Sequence, residues 1–336
     1  DLPDYETGAV PPINSIAVLP FDNMSGIPEQ EYFSDGMTDE LITGLAKHPE
    51  LLVIARDSVF MYKDKKIDLP EIAEQLNVQY ILHGSVRREN EQVRINAQLV
   101  DSRSNTLLWA ESYDGTISRI FELQDRITGI IVLALTKKIA GTGNMAVHRE
   151  IRNTQAYDNF LLGKKHFYLY HNREENQNAR EFFKVSIKYD QDFAMAYAML
   201  AWTHVFDAMN SWSEDHDQTL QRALDLATKA ISLDKELPVA YWVKGLSYRE
   251  MGEYVKALVE AEQAIRYDPN YANAHVLLAT LLYYAGRPEE GLRRIKKAMQ
   301  INPYHPFNYI FHLGQAYFIL ERYAEAIDAF TKAVES

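Results

Sequence analysis

Residues 238–271, reading PVAYWVKGLSYREMGEYVKALVEAEQAIRYDPNY, constrain the fold more than any other stretch of the chain. Across these 34 residues, small or aromatic side chains recur at Tyr241, Gly245, Tyr248, Ala257, Ala261 and Ala264, and Asp268-Pro269 closes the unit. The spacing predicts two short helices folded against each other, with small residues where they cross closely and larger ones filling the gaps between them. Proline near the end stops the second helix, because it lacks an N–H and restricts the residue before it.

Laid backwards and forwards, this unit works as a ruler. Residues 156–193 carry Gly163, Ala179 and Phe183 in register after about four extra residues. Residues 194–237 carry Ala201, Ala223, Ala227 and Ala230, with about ten residues inserted between the helices around 208–217. Residues 272–306 hold Leu278, Ala279, Gly291, Ala298 and Pro303, and from Phe307 onward come Leu313, Gly314, Tyr317, Ala326, Phe330 and Ala333. Five units result. The unit resembles a tetratricopeptide repeat, whose 34-residue period it matches.

That resemblance implies an all-α, right-handed solenoid in which the first helix of each pair, helix A, lines a concave groove. In this repeat family the groove-facing positions are the second, fifth, ninth, twelfth and thirteenth. They fall on Tyr157, Phe160, Lys164, Phe167 and Tyr168 in the first unit, on Trp202, Val205 and Phe206 in the second, and on Trp242, Leu246, Arg249 and Glu250 in the third. The fourth unit gives Asn273, Thr280, Tyr283 and Tyr284, and the fifth Asn308, Phe311, Gln315 and Phe318. An aromatic groove is expected, and exposed aromatics in such number mark a binding surface. A partner's peptide or amphipathic helix would fill it, or else the inserted loop near Trp212 or a neighbouring helix of the chain itself. A register shifted by one would turn the stripe into ordinary core.

At 336 residues the chain exceeds what one core usually serves, so two domains are expected. With 47 acidic against 35 basic residues, the net charge of −12 disfavours direct nucleic-acid binding and favours basic or mixed partners. There is no cysteine, which removes disulfides, thiol nucleophiles and thiolate metal sites. No apolar run is long enough to span a membrane. Beginning at Asp1 without a methionine and stopping at Ser336 shortly before a repeat would end, the chain is expected to be a fragment, with a membrane span or another domain upstream.

Ahead of the repeats, a lead-in over residues 1–14 precedes an α/β domain over 15–139, and a polar linker follows over 140–153. Ser15–Phe21 reads as a buried strand, the stretch from Phe33 to Leu45 as one face of a helix, Leu51–Ala55 as a second strand, and Ile72, Ala73 and Leu76 as a further helix. Period-2 alternation at Val78, Tyr80 and Leu82, then at Val93, Ile95, Ala97 and Leu99, then at Leu107 and Trp109, predicts an antiparallel meander with one wet face. An amphipathic helix from about Ile117 to Ile139 completes a mixed sheet in the order β-α-β-α-β-β-β-α.

The phrases SIAVLPFDNMSG, EYFSDGMTDELITGLA, LLVIARDSVFMYK, IAEQLNVQYILHGSVRR, VRINAQLVDSRSNTLLWAESYDGT and IFELQDRIT look like the TolB-amino-terminal-like domain. That resemblance implies a module placed ahead of tetratricopeptide repeats, as in many bacterial class III adenylate or guanylate cyclases and some membrane-anchored winged-helix regulators. The quoted residues serve either to specify the fold or, at Asp22–Gly26 with Arg56 and Asp57, to form a ligand-sensing rim beyond strand ends.

Catalytic constellations fail. Glu214-Asp215-His216-Asp217 has metal-binding atom types but no ion-binding loop spacing, and reads as a solvated charge run. The ten histidines include no HExxH, and there is no GxSxG or phosphate-binding glycine loop. The expectation is therefore a noncatalytic regulatory segment without cofactor, binding a protein or peptide in the repeat groove, with a homo-oligomer compatible with it. Two other functions stay open: membership of a nucleotide cyclase whose catalytic domain lies outside the chain, and small-molecule sensing by the α/β domain. A membrane span before Asp1 would place it in the periplasm, and its absence in the cytoplasm.

Overall fold

The computed structural model describes residues 11–136, 153–168 and 172–335. They divide into two compact units, one of residues up to 154 with 301–304, the other of 155–300 with 305–336. Most of the lead-in, the end of the long helix near Ile139 and the linker over 140–153, apart from Asn153, lie outside the described residues.

The first unit runs β1 (Ser15–Val18), β2 (Asp22–Asn23), α1 (Glu31–Ala46), β3 (Leu52–Val53), α2 (Arg56–Phe60), α3 (Leu69–Leu76), β4 (Tyr80–Glu89), β5 (Gln92–Asp101), β6 (Thr106–Thr116) and α4 (Ile120–Thr136). The mixed sheet has the order β3-β1-β4-β5-β6, with β2 beside β4. β1 pairs in parallel with β3 and β4, while β4, β5 and β6 form the antiparallel meander. β1 is buried throughout, as a strand flanked on both sides must be.

The structure adds two short elements that the sequence reading does not include, β2 at Asp22–Asn23 and α2 at Arg56–Phe60. Gly36, a weak helix former, is accommodated because α1 buries Phe33, Met37, Leu41 and Leu45 on one face. Thr38 on that helix accepts a hydrogen bond from the Phe21 N–H at 2.9 Å, fixing the chain beyond β1.

The alternation in β5 is literal. Val93, Ile95, Ala97 and Leu99 are buried, and Arg94 and Gln98 are exposed. On the wet face, Arg94 pairs with Asp114 at 2.6 Å, and Asn96 donates to Ser85 Oγ at 3.0 Å. Gly84 has no room for a side chain, since a Cβ there would lie 2.0 Å from the Asn96 carbonyl oxygen. Leu107 does not share the face of Trp109. An irregularity beside Leu99 and Val100 pairs them with Trp109 and Leu107, leaving Leu107 exposed.

Among the described residues, the second unit is ten helices: α5 (Thr154–Tyr168), α6 (Arg173–Tyr189), α7 (Ala194–Met209), α8 (His216–Leu233), α9 (Pro238–Glu250), α10 (Tyr254–Tyr267), α11 (Ala272–Tyr284), α12 (Pro288–Ile301), α13 (Phe307–Ile319) and α14 (Tyr323–Glu335). These are the five pairs located by the ruler. The extra residues of the second pair mostly lengthen helices: α7 has 16 residues against 13 in α9, and α8 has 18 against 14 in α10. Asp215, in the run read as solvated charge, is the N-cap of α8, its carboxylate accepting from the Gln218 N–H at 2.9 Å.

Within pairs the helices cross at small residues. A Cβ on Gly163 would lie 2.6 Å from the Phe183 ring, and one on Gly314 would lie 2.6 Å from the Phe330 ring. Small residues fill the corresponding layers elsewhere, as at Ala223, Ala227, Ala257, Ala261 and Ala264, all fully buried. Gly252 and Gly286 supply the left-handed turn residue after α9 and α11, at φ +77° and +73°.

His275 on α11 is 2% exposed. Its Nε2–H donates to the Pro269 carbonyl at 3.0 Å, and its Nδ1 is buried with no partner among the described residues. Burial, reinforced by Arg294 and Lys297, holds its pKa down to about 4. Because the folded value lies below the ordinary 6.5, the unfolded chain takes up the proton first as pH falls. Stability should therefore be lost from about pH 6.5 toward pH 4, by on the order of 3 kcal/mol from this group. Urea unfolding of the wild type and His275→Gln across that range checks it: the wild-type slope should be steeper, and parallel curves would contradict it.

Candidate partner-binding groove

The helices A, namely α5, α7, α9, α11 and α13, meet in succession, which makes them the inner layer of the stack. Their aromatics form a ladder across these seams. Phe167 of α5 meets Trp202 of α7 at 4.4 Å between ring centroids, Trp202 meets Trp242 of α9 edge-on at 4.6 Å, and Trp242 meets Tyr271 at 5.5 Å. Phe160 packs on Phe193 at 4.8 Å. Edge-on and tilted contacts at these distances are the attractive arrangements for aromatic pairs.

The ladder corrects the expected open groove. Phe160, Lys164, Phe167, Trp242 and Tyr283 are buried, as are Tyr157, Val205, Leu246 and Thr280. Phe160, Phe167, Val205, Trp242 and Tyr283, at fifth and twelfth positions of helix A, are packed inside the stack, so these side chains counted as groove lining are packing surface, while Arg249 at a twelfth position stays half-buried. Lys164 keeps its ammonium 5.3 Å from the Phe160 ring centroid. Burial raises the Tyr283 phenol well above its ordinary pKa, and its hydroxyl finds no partner among the described residues.

Tyr168, Trp202, Phe206 and Arg249 remain half-buried, and Tyr284, Phe311 and Phe318 are exposed. They do not form one site. Tyr284 lies against Tyr254 of the preceding helix B, at 5.3 Å. Phe311 and Phe318 line a cleft of roughly 330 Å³ on the last pair, with Gln315, Ile319 and Phe330. Tyr168 ends α5 edge-on to Phe167 at 6.2 Å, Trp202 stands one turn before Phe206 on α7, and Phe206 and Arg249 lie in the last turns of α7 and α9. There Trp212, from the loop after α7, stands edge-on to Phe206 at 5.5 Å, its backbone N–H donating to the Asp207 carbonyl at 2.9 Å. Arg249 bonds Glu250 at 2.7 Å and reaches the Met209 sulfur at 3.9 Å. The result is an aromatic shelf, Trp202, Phe206 and Trp212, beside a cation with its own carboxylate. The inserted loop thus covers one ring of the groove, Phe206, and Trp212 joins the site as a residue the repeat positions do not reach.

A buried polar lock sets the position of α7. Arg180 of α6 bonds Asp207 at 2.5 Å and the Thr203 carbonyl at 3.0 Å, while Asn176 donates to Asp207 at 2.7 Å. Beside it, burial and the Arg180 charge hold His204 at a pKa of about 4. At the first unit's rim, Arg56 lies 3.8 Å from Asp39 and over the Phe60 ring at 3.8 Å, and Asn23 organises its own loop through Ser25 and Ile27. No group of three or more His, Asp or Glu able to hold a metal ion occurs among the described residues. Nor is any described helix long and apolar enough to cross a membrane.

A family model for the second domain of HilA/YgeH-like transcriptional regulators matches residues 13–130. Tetratricopeptide-repeat models match 238–271 and 270–336. The first unit is thus similar to the HilA-type domain, and the TolB-like module expected from its phrases is not the family found. "Putative adenylate cyclase 3" of Rhizobium meliloti (strain 1021) is 40% identical over 251 residues, covering 74% of this chain and 42% of that protein. The chain therefore spans less than half of that relative's length. A small glutamine-rich tetratricopeptide repeat-containing protein 2 of Mycosarcoma maydis is 27% identical over 81 residues, 24% of this chain and 23% of that one. Among solved structures, a thermophilic tetratricopeptide protein of Thermus thermophilus is 19% identical, with a TM-score of 0.43 over 54% of this chain and 90% of its own.

Removing the carboxylate of the polar lock leaves Arg180 and Asn176 buried without their anion, a loss of about 3–5 kcal/mol for a buried pair. Asp207→Ala should lower the unfolding free energy of the repeats by that order in urea titrations, and Asp207→Asn by less. Equal, small effects of both would show the lock to be dispensable.

Proposed function

We infer that this chain is a noncatalytic regulatory segment whose repeats hold a protein or peptide partner at the carboxyl ends of α7 and α9 and relay its presence to an effector. The observation that carries this is the shelf of Trp202, Phe206 and Trp212 beside Arg249 and Glu250, half-buried in a stack whose other helix-A aromatics are mostly consumed by packing. Aromatic rings next to a guanidinium are the composition of binding hot spots. Tetratricopeptide repeats mediate protein–protein interaction, and charge of both signs at the shelf suits a partner of basic or mixed charge.

Peptide-library selection on the immobilised 336-residue chain tests this. Enriched peptides should share a pattern and lose at least about tenfold in affinity on Trp202→Ala or Arg249→Ala. Failure to enrich, or peptides indifferent to both substitutions, would overturn it.

The cyclase-named relative supports a second reading, in which the effector is a nucleotide cyclase domain outside these residues. On either reading the purified chain should form no cyclic AMP from ATP with magnesium or manganese. Turnover would contradict both.

A further inference from the structure

The first unit has a recess of its own, between the turn over residues 25–30 that precedes α1 and the end of the β4–β5 hairpin. Arg87, Arg88 and Glu89 line it from the hairpin, Ser25, Ile27 and Gln30 from the turn, around about 220 Å³. That is below the roughly 300–1,000 Å³ of pockets for drug-sized molecules, and it suits a metabolite of few heavy atoms.

Its walls are held by the fold. The Asn23 side chain donates to the Ile27 carbonyl at 2.9 Å and accepts from the Ser25 N–H at 3.0 Å, and the Gln30 N–H closes on the same Ile27 carbonyl at 3.0 Å. On the hairpin side the Arg88 guanidinium lies over the Phe33 ring at 4.9 Å and donates to Tyr32 Oη and to the Asn90 carbonyl, each at 3.3 Å. An aromatic face steadies the cation without consuming its charge.

Two groups here are imperfectly matched by the fold. Gln30 Oε1 is buried and accepts from no described residue, a state in which an acceptor calls for a donor. Arg87 stands directly opposite Arg94 in the β4–β5 register, a like-charge pairing that destabilises a sheet. Arg94 is satisfied by Asp114 at 2.6 Å, whereas Arg87 has Glu89 at 3.4 Å, with both of those side chains mostly exposed. The recess thus calls for an anion at the guanidiniums and a hydrogen-bond donor at Gln30. Inorganic phosphate meets the first need and serves the second poorly, since its oxygens are chiefly acceptors. A carboxylate and an ammonium on one carbon meet both.

We propose that this recess binds a free α-amino acid, its carboxylate on Arg87 and Arg88 and its ammonium on Gln30 Oε1 and Glu89. Ile27, 45% exposed on the same turn, offers apolar surface to the ligand's side chain. The site belongs to the first unit and shares no residue with the shelf at α7 and α9.

Thermal unfolding of the 336-residue chain with each of the twenty protein amino acids in turn, at about 10 mM, tests this. At least one should raise the melting temperature by mass action, and calorimetric titration of it should give a dissociation constant below about 1 mM. Arg87→Ala and Gln30→Leu should each raise that constant at least about tenfold with circular dichroism unchanged, and Trp202→Ala should leave it as it is. The analogue lacking the amino group, and inorganic phosphate, should bind at least about tenfold more weakly. No shift with any of the twenty, or a binder indifferent to both Arg87→Ala and Gln30→Leu, would overturn the proposal. Equal affinity for the amine-free analogue or for phosphate would overturn it too, by showing a site for anions alone.

Discussion

The crossing of two helices at a residue too small to hold them apart is the contact on which the repeat unit depends. Gly163 under Phe183 and Gly314 under Phe330 show it in the first and last described pairs, with the same 2.6 Å clearance for an absent Cβ. The close approach fixes the angle within a pair, the angle fixes which side chains face the next pair, and the seams follow. Along those seams runs the aromatic ladder from Phe167 through Trp202 and Trp242 to Tyr271. Exposed helix-A surface in the described repeats is therefore what remains after stacking is satisfied.

That ordering explains what was legible in the repeats. Small residues at Gly245, Ala257, Ala261 and Ala264 record a backbone constraint, and constraints of that kind recur at a fixed period, so all five pairs could be located from one. Exposure is not periodic in the same way. Trp242 and Phe311 hold equivalent positions in their helices, yet one is 6% and the other 42% exposed, and Trp242 lies against Tyr271 at the start of the next pair. Residue type and position do not carry that difference. Nor does any repeat position point to Trp212, whose place on Phe206 depends on how the loop after α7 closes.

In the first unit, period-2 alternation gave β5 residue by residue, since a half-wet antiparallel strand writes its two faces into its sequence. β6 was harder. The irregularity beside Leu99 breaks the alternation, and Leu107 ends on the outer side despite its apolar character. The short elements β2 and α2 escaped because two or five residues are too few to show a period. The rim at Asp22–Gly26 and Arg56 forms ordered local contacts within its own segment and with α1.

The central claim is that partner contact is confined to the shelf left between α7 and α9. Photo-crosslinking decides it most directly, with benzoylphenylalanine placed at Phe206 in one variant and at Tyr284 in another, each irradiated with peptides selected on the chain. Both positions belong to the thirteenth place of helix A, but only Phe206 stands beside Trp212. The account predicts a crosslinked peptide at position 206 and none at 284. Crosslinking at 284 with none at 206 would contradict it.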